Sequence, residues 1–285
     1  MYLLADLDFY IQAFDNRYCN NSLRILSSKH ILVINKDMIN YIETKIPEEQ
    51  KERFQSFIIE LSDNNKHEPC DSIKVSDFLN TCKSFFNQSK HQFLIPITNS
   101  NSPIFTQTDF HNLINLKSTC RFEQNIIEVI MNNTIQLTYS NFSNNNEIDF
   151  LIEKVLALPK HIKQAFFFNR EADDKFLTKL QGNKIIYYTL LDSRNQDIEK
   201  CKEFRKEQSS ILGGNFELYT TRKRTVLHER CFFIGDLCIS FDNSFNNINI
   251  NEPSWNMYIT YKKDNYNNWI KGKELDKNFK KVNIS

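Results

Sequence analysis

Two α/β domains are predicted for this chain, and three observations carry the prediction. Short apolar runs alternate with segments of helical periodicity over the first hundred residues. A polar stretch punctuated by Pro103, residues 98–108, then interrupts the alternation as a linker or site loop. A second round of alternation follows and closes on an apolar hairpin. Strands separated by helices form parallel layers, and 285 residues suffice for two cores. The expected domains are residues 1–120 and 121–285.

In the first domain, residues 2–7 read as an apolar strand, 9–26 as a helix and 30–34, His-Ile-Leu-Val-Ile, as a second buried strand. Asp37 is a candidate N-cap for a helix starting at Met38, since a short acceptor side chain satisfies the first free N–H groups. Pro47 with Glu48 and Glu49 opens another helix, in which Phe54, Phe57, Ile58 and Leu61 recur at helical spacing. Ser76 is expected to cap a helix running to residue 86, and residues 93–97 return as a strand. A bridging helix covers 122–131, before a second polar break at 143–146. In the second domain helices are expected at 148–158, 173–180 and 196–207, and strands at 162–168, 184–190, 216–220 and 255–261. The apolar run from Leu227 pairs with the strand over 237–241 in a hairpin turning at Gly235-Asp236. The segment after Lys262 reads as a charged, irregular or helical appendage.

Composition narrows the function classes. The formal net charge is +1, so any nucleic-acid surface must be a local patch rather than a property of the whole chain. Seven cysteines, odd in number and without a C-x-x-C pair, predict free thiols in a reducing compartment, hence a cytoplasmic location. No apolar run reaches membrane-spanning length, and Asp6 arrives too early for a signal peptide, so no membrane association is expected.

The hairpin carries the chemistry. His228 stands two residues before Arg230 ahead of the turn, and Ser244 and Asn246 follow the return strand. A hairpin turning at Gly235-Asp236 brings these two ends side by side, gathering an imidazole, a guanidinium, a hydroxyl and an amide at one sheet edge. Such a set suits a phosphodiester, because a nucleophilic base stands beside donors for phosphate oxygens. The Arg222-Lys223-Arg224 run just upstream would steer an anionic backbone toward it.

These residues resemble the motif of the phospholipase D superfamily, which runs His-x-Lys, four residues, Asp, then Gly-Ser-x-Asn. His228, Asp236, Ser244 and Asn246 match it; Arg230 replaces the Lys with one extra residue before Asp236, and Asn243 replaces the Gly. The resemblance implies a phospholipase D-like half with a mixed sheet. It implies His228 as nucleophile or acid through a phosphohistidine, Arg230 and Asn246 as phosphate clamps, and Ser244 as an orienting group. It also implies no cofactor, and, for a chain with one motif copy, a homodimer that pairs two His228 side chains. Degenerate members of the superfamily act by binding alone.

A second candidate lies in the first domain. Asp6 ends the first strand, Glu43 lies on the helix after the second, Asp77 begins a later helix, and Asn99 and Asn101 follow the strand over 93–97. Carboxylates at the carboxyl edge of a parallel sheet are placed to hold Mg²⁺ or Mn²⁺ for water activation. The layout is similar to the PIN nuclease family, with Asn99 or Asn101 where that family keeps its last acid. His161-Ile162-Lys163 repeats the His-x-cation pattern without a following Ser-x-Asn and reads as chance.

Three function classes therefore stand open. One is a nucleic-acid phosphodiester-binding protein, with nuclease activity centred on His228 and a role in bacterial defence. The second is a non-catalytic scaffold or binding subunit of a larger complex. The third is a metal-dependent nuclease built on Asp6, Glu43 and Asp77.

Overall fold

The computed structural model describes residues 1–15, 17–100, 103–192 and 196–283, without the side chains of 17–20. It is an α/β protein with one parallel and one mixed sheet. The chain divides into two compact units, Met1–Asn132 with Lys154–His161, and Asn133–Glu153 with the remainder from Ile162.

The first unit runs β1 (Tyr2–Ala5), α1 (Leu7–Asp15), α2 (Arg17–Lys29), β2 (Ile31–Val33), α3 (Lys36–Lys45), α4 (Glu48–Asp63), β3 (His67–Glu68), α5 (Phe78–Gln88), β4 (Leu94–Thr98), β5 (Ile114–Asn115) and α6 (Arg121–Asn132). Its strands pair in parallel in the order β3-β2-β1-β4-β5. β1 is central, and Leu3, Leu4 and Ala5 are wholly buried, as a strand covered on both faces requires. α4 lays Phe54, Phe57 and Leu61 inward at the spacing read from the sequence. α6 contacts α2 and β5, which is why the chain divides later than its composition suggested. The His30 ring donates from Nε2 to the Ile130 carbonyl at 2.6 Å, and burial pulls that imidazole down to about 4.

Three local expectations are corrected. The helix expected over 9–26 is two helices, α1 and α2. Asn35, not Asp37, caps α3: its Oδ1 accepts from Met38 N at 2.9 Å while its Nδ2 donates to the Cys70 and Ile73 carbonyls. An amide serves both roles where a carboxylate only accepts, and Asp37 accepts instead from Val75 N at 2.8 Å. Ser76 lies within a 3₁₀ turn, Val75–Asp77, that leads into α5.

The second unit runs β6 (Thr134–Thr138), α7 (Asn145–Leu156), β7 (Gln164–Asn169), β8 (Lys184–Leu190), α8 (Ile198–Ile211), β9 (Phe216–Thr221), β10 (Arg230–Ile234), β11 (Leu237–Phe241), β12 (Asn256–Tyr261), α9 (Asn265–Ile270), α10 (Leu275–Asn278) and β13 (Lys280–Lys281). The last residues of α7, from Lys154, count with the first unit. Strand order is β13-β9-β8-β7-β10-β11-β12-β6. β7, β8 and β9 are mutually parallel and the other pairs antiparallel, so the sheet is mixed. Gly235 turns the β10–β11 hairpin at φ 55°, a conformation that costs glycine little. β6 was not foreseen, because its pattern is polar and half-exposed; pairing with β12 holds it. The helix expected at 173–180 is only a 3₁₀ turn, Thr178–Leu180. Asp173 N donates to the Tyr187 hydroxyl at 3.3 Å, and Lys175 N donates to Asp173 Oδ1 at 2.9 Å, so the local backbone groups bond outside a helical ladder.

Aromatic rings knit this sheet across strands. Phe167 stacks on Tyr187 and Phe232 at 5.6 and 4.9 Å, and Phe168 on Tyr188 at 4.7 Å. Each such pair adds about 0.5–1.5 kcal/mol beyond area burial. The appendage expected after Lys262 is a cover for one sheet face: Tyr266 stacks on Phe166 at 3.9 Å, and Trp269 meets Phe168 at 4.3 Å and Phe233 at 5.1 Å. Trp269→Ala should therefore lower stability by about 2–3 kcal/mol, below the 3–5 kcal/mol of a fully buried ring. Urea unfolding checks this, with Tyr139→Ala, at an exposed ring, expected within about 0.5 kcal/mol of the parent.

Candidate functional site

Strand direction builds the site. β10 runs antiparallel to β7, with Cys231 opposite Phe168, so the residues before β10 lie beside those after β7. Arg170 follows β7 and His228 precedes β10, and Arg170 Nη2 reaches His228 Nδ1 at 3.1 Å. Arg230 is half-buried at the start of β10, opposite Phe241, and its Nη1 donates to the Asp242 carbonyl at 3.4 Å. Burial, then the neighbouring Arg170 charge, holds the Arg230 guanidinium below its ordinary value, while Glu171 and Asp242 oppose this. Ser244, buried beyond β11, donates from Oγ to Glu171 Oε2 at 3.0 Å. His228, Arg230 and Ser244 are thus linked through Arg170 and Glu171, two residues the sequence motif did not single out. Asn246 is exposed, and its backbone N–H donates to Asp173.

Arg170 and Glu171 are set by a buried polar network. The Tyr187 hydroxyl donates to the Glu171 carbonyl at 2.8 Å and accepts from Asn169 Nδ2 and Asp173 N at 3.1 and 3.3 Å. Gln196 accepts from Ala172 N at 2.6 Å and donates to Thr189 Oγ1 and the Leu190 carbonyl at 2.9 and 2.6 Å. Both side chains lie beneath the turn that follows β7. The available sequence signal was position: polar residues directly after an apolar parallel strand fall at the carboxyl edge, where α/β sheets bind ligands.

The Arg222–Arg224 run follows β9 at the same edge. Arg224 Nη2 pairs with Asp192 Oδ2 at 2.8 Å, Lys223 Nζ reaches Asn278 Oδ1 at 2.8 Å, and Arg222 is exposed. Arg222, Arg224, Asp192, Gln196 and Asp197 line a cleft of about 360 Å³ at the start of α8.

The acids of the first unit go to separate partners. Asp6 is wholly buried; it accepts from Phe9 N at 2.8 Å and from the Thr98 hydroxyl. Glu43 accepts from Gln55 at 3.0 Å and Asp77 from Asn80 at 2.8 Å, both at the surface. Among the described residues no three His, Cys, Asp or Glu side chains stand at metal-binding spacing. Asp6, Glu43 and Asp77 thus form no such group. Asn99 is buried, and Asn101 lies outside the described residues. Burial raises the Asp6 carboxyl to about 6 against its ordinary 3.8, with Thr98 and Phe9 pulling the other way.

No protein-family model matches the chain, and no characterised protein matches it in sequence. Among the described residues no helix is long and apolar enough to cross a membrane.

Two outcomes follow from this geometry. Tyr187→Phe removes one hydroxyl that three groups share, leaving buried polar atoms unpaired; a loss of about 1–3 kcal/mol is expected. Faster hydrogen exchange should appear over residues 169–173, and unchanged exchange there would refute the network's role. For Asp6, the folded value lies above the unfolded one, so its contribution is fully present below 3.8 and is lost as pH rises through about 6. Asp6→Asn keeps an acceptor for Phe9 and offers its amide to Thr98. The variant should exceed the parent by up to about 3 kcal/mol at pH 8, with the gain fading toward pH 4. Chemical denaturation at several pH values measures it.

Proposed function

We propose that the second unit binds a phosphodiester of nucleic acid at the edge formed by Arg170, His228 and Arg230. The observation that carries this reading is the Arg170–His228 contact. A guanidinium only donates, so Nδ1 of His228 presents its lone pair to Arg170, and the neutral ring keeps its proton on Nε2. Nε2–H is then a donor for a phosphate oxygen. Arg230 adds a second guanidinium, and its Nε, like that of Arg170, is buried without a partner among the described residues. Two guanidinium groups of like charge repel in a half-buried setting, and an anion bridging them relieves that repulsion. Planar forks suit phosphate oxygens better than a point charge would, which gives the Arg at position 230 a purpose.

The hydrolytic reading of the same residues asks for a free imidazole lone pair to attack phosphorus. Arg170 occupies one and a proton the other, so binding is favoured over turnover.

Arg230→Ala should weaken binding of a single-stranded oligonucleotide by about 10–100-fold, the equivalent of one charge-assisted contact. Neutralising Arg222, Lys223 and Arg224 together should flatten the salt dependence of affinity. Anisotropy titrations at two salt concentrations test both, and undiminished affinity in both variants would refute the reading. The oligonucleotide should emerge intact with or without a chelator. Cleavage that His228→Ala abolishes would restore the nuclease reading.

A further inference from the structure

We infer that the C-terminal segment forms part of the nucleic-acid surface, extending the clamp at Arg170, His228 and Arg230 into a cationic band that contacts several phosphates. This rests on the phosphodiester reading above and adds the size of the ligand: a polynucleotide strand rather than a mononucleotide.

Two anchors place the segment there. Between α9 and α10, Lys273 stacks over Trp269 at 4.0 Å and pairs with both Glu229 oxygens at 3.1 and 3.2 Å. Glu229 is the neighbour of His228 and accepts from its backbone N–H at 3.2 Å, so this anchor sits at the clamp. At the end of α10, Asn278 receives Lys223, the middle cation of the loop after β9. Antiparallel pairing of Lys280 and Lys281 with Thr220 and Tyr219 fixes the segment beside that loop.

Lys271 and Lys277 bracket the first anchor, and both are exposed. Lys277 pairs with Glu274, an exposed i,i+3 pair of the kind that contributes little and yields to a competing anion. Apolar residues of the segment, Tyr266, Trp269, Ile270 and Leu275, pack against the sheet's core. The segment thus runs from Glu229, the neighbour of His228, to Lys223, and it exposes Lys271 and Lys277 on a protein whose net charge is only +1. A row of cations on a rigid support releases counterions phosphate by phosphate, and the salt slope counts them.

The test uses the whole chain with two ligands, a dinucleotide holding one phosphodiester and a single-stranded 20-mer. Lys271→Gln with Lys277→Gln changes only exposed side chains. It should lower the 20-mer's log–log salt slope by about 1.4, at roughly 0.7 per phosphate contact, and leave dinucleotide affinity unchanged. Lys163→Gln with Lys184→Gln is the control, since both are exposed cations, just before β7 and at the start of β8, the end of those strands opposite Arg170; its slope should match the parent. A 20-mer slope unaltered by the Lys271/Lys277 variant, or lowered as much by the control, overturns the band while the clamp stands. Failure of the parent to bind either ligand overturns the clamp and the band together.

Discussion

The antiparallel pairing of β10 against β7 is the constraint on which the rest of the second unit depends. A parallel neighbour would have carried the residues before β10 to the far edge of the sheet. Instead the chain after β7 and the chain before β10 end together, and Arg170 meets His228. The stack of Phe167 on Phe232 locks that register from the core, because a slip of one residue would turn each ring to the opposite face. The hairpin then returns Ser244 to the same edge, where Glu171 receives it. Packing far from solvent therefore determines which polar groups share the surface.

Charge and burial act against one another at this edge. Arg170 and Arg230 are both half-buried, in a region where Coulomb repulsion is felt more strongly than in water. Glu171 and Asp242 offset some of it, yet Glu171 is also engaged by Ser244. Tyr187 and Gln196 resist the relaxation that would otherwise separate the two cations, since each is buried and bonded to the turn between them and β8. An anion bound there, as proposed above, would meet two cations already held together and so little reorganisation cost.

Much of the architecture was legible in the sequence because it rests on periodicity. Apolar runs marked β1, β4, β7 and β8, and Gly235 marked the turn whose positive φ needs it. Elements fixed by distant partners were not legible. β6 has too few apolar residues to declare itself, and Trp269 reads as a surface aromatic until Phe168 and Phe233 are seen beneath it. At the candidate site, spacing pointed to His228 and Arg230, whereas Arg170 lies 58 positions earlier and carries no motif. Asp6 was legible by its place at the end of the first strand, but its partners Phe9 and Thr98 were not.

The first unit buries two titratable groups whose preferences are displaced in opposite directions. Asp6 holds its proton up to about 6, and His30 releases its own down to about 4. Near pH 5 the unfolded chain carries an imidazolium and a carboxylate, while the folded unit carries a neutral imidazole and a neutral acid. Folding in that range is, for this pair, a proton transfer from base to acid within one chain. The number of bound protons scarcely changes, so the buffer neither gains nor supplies one. Interior charge is removed without an ion pair.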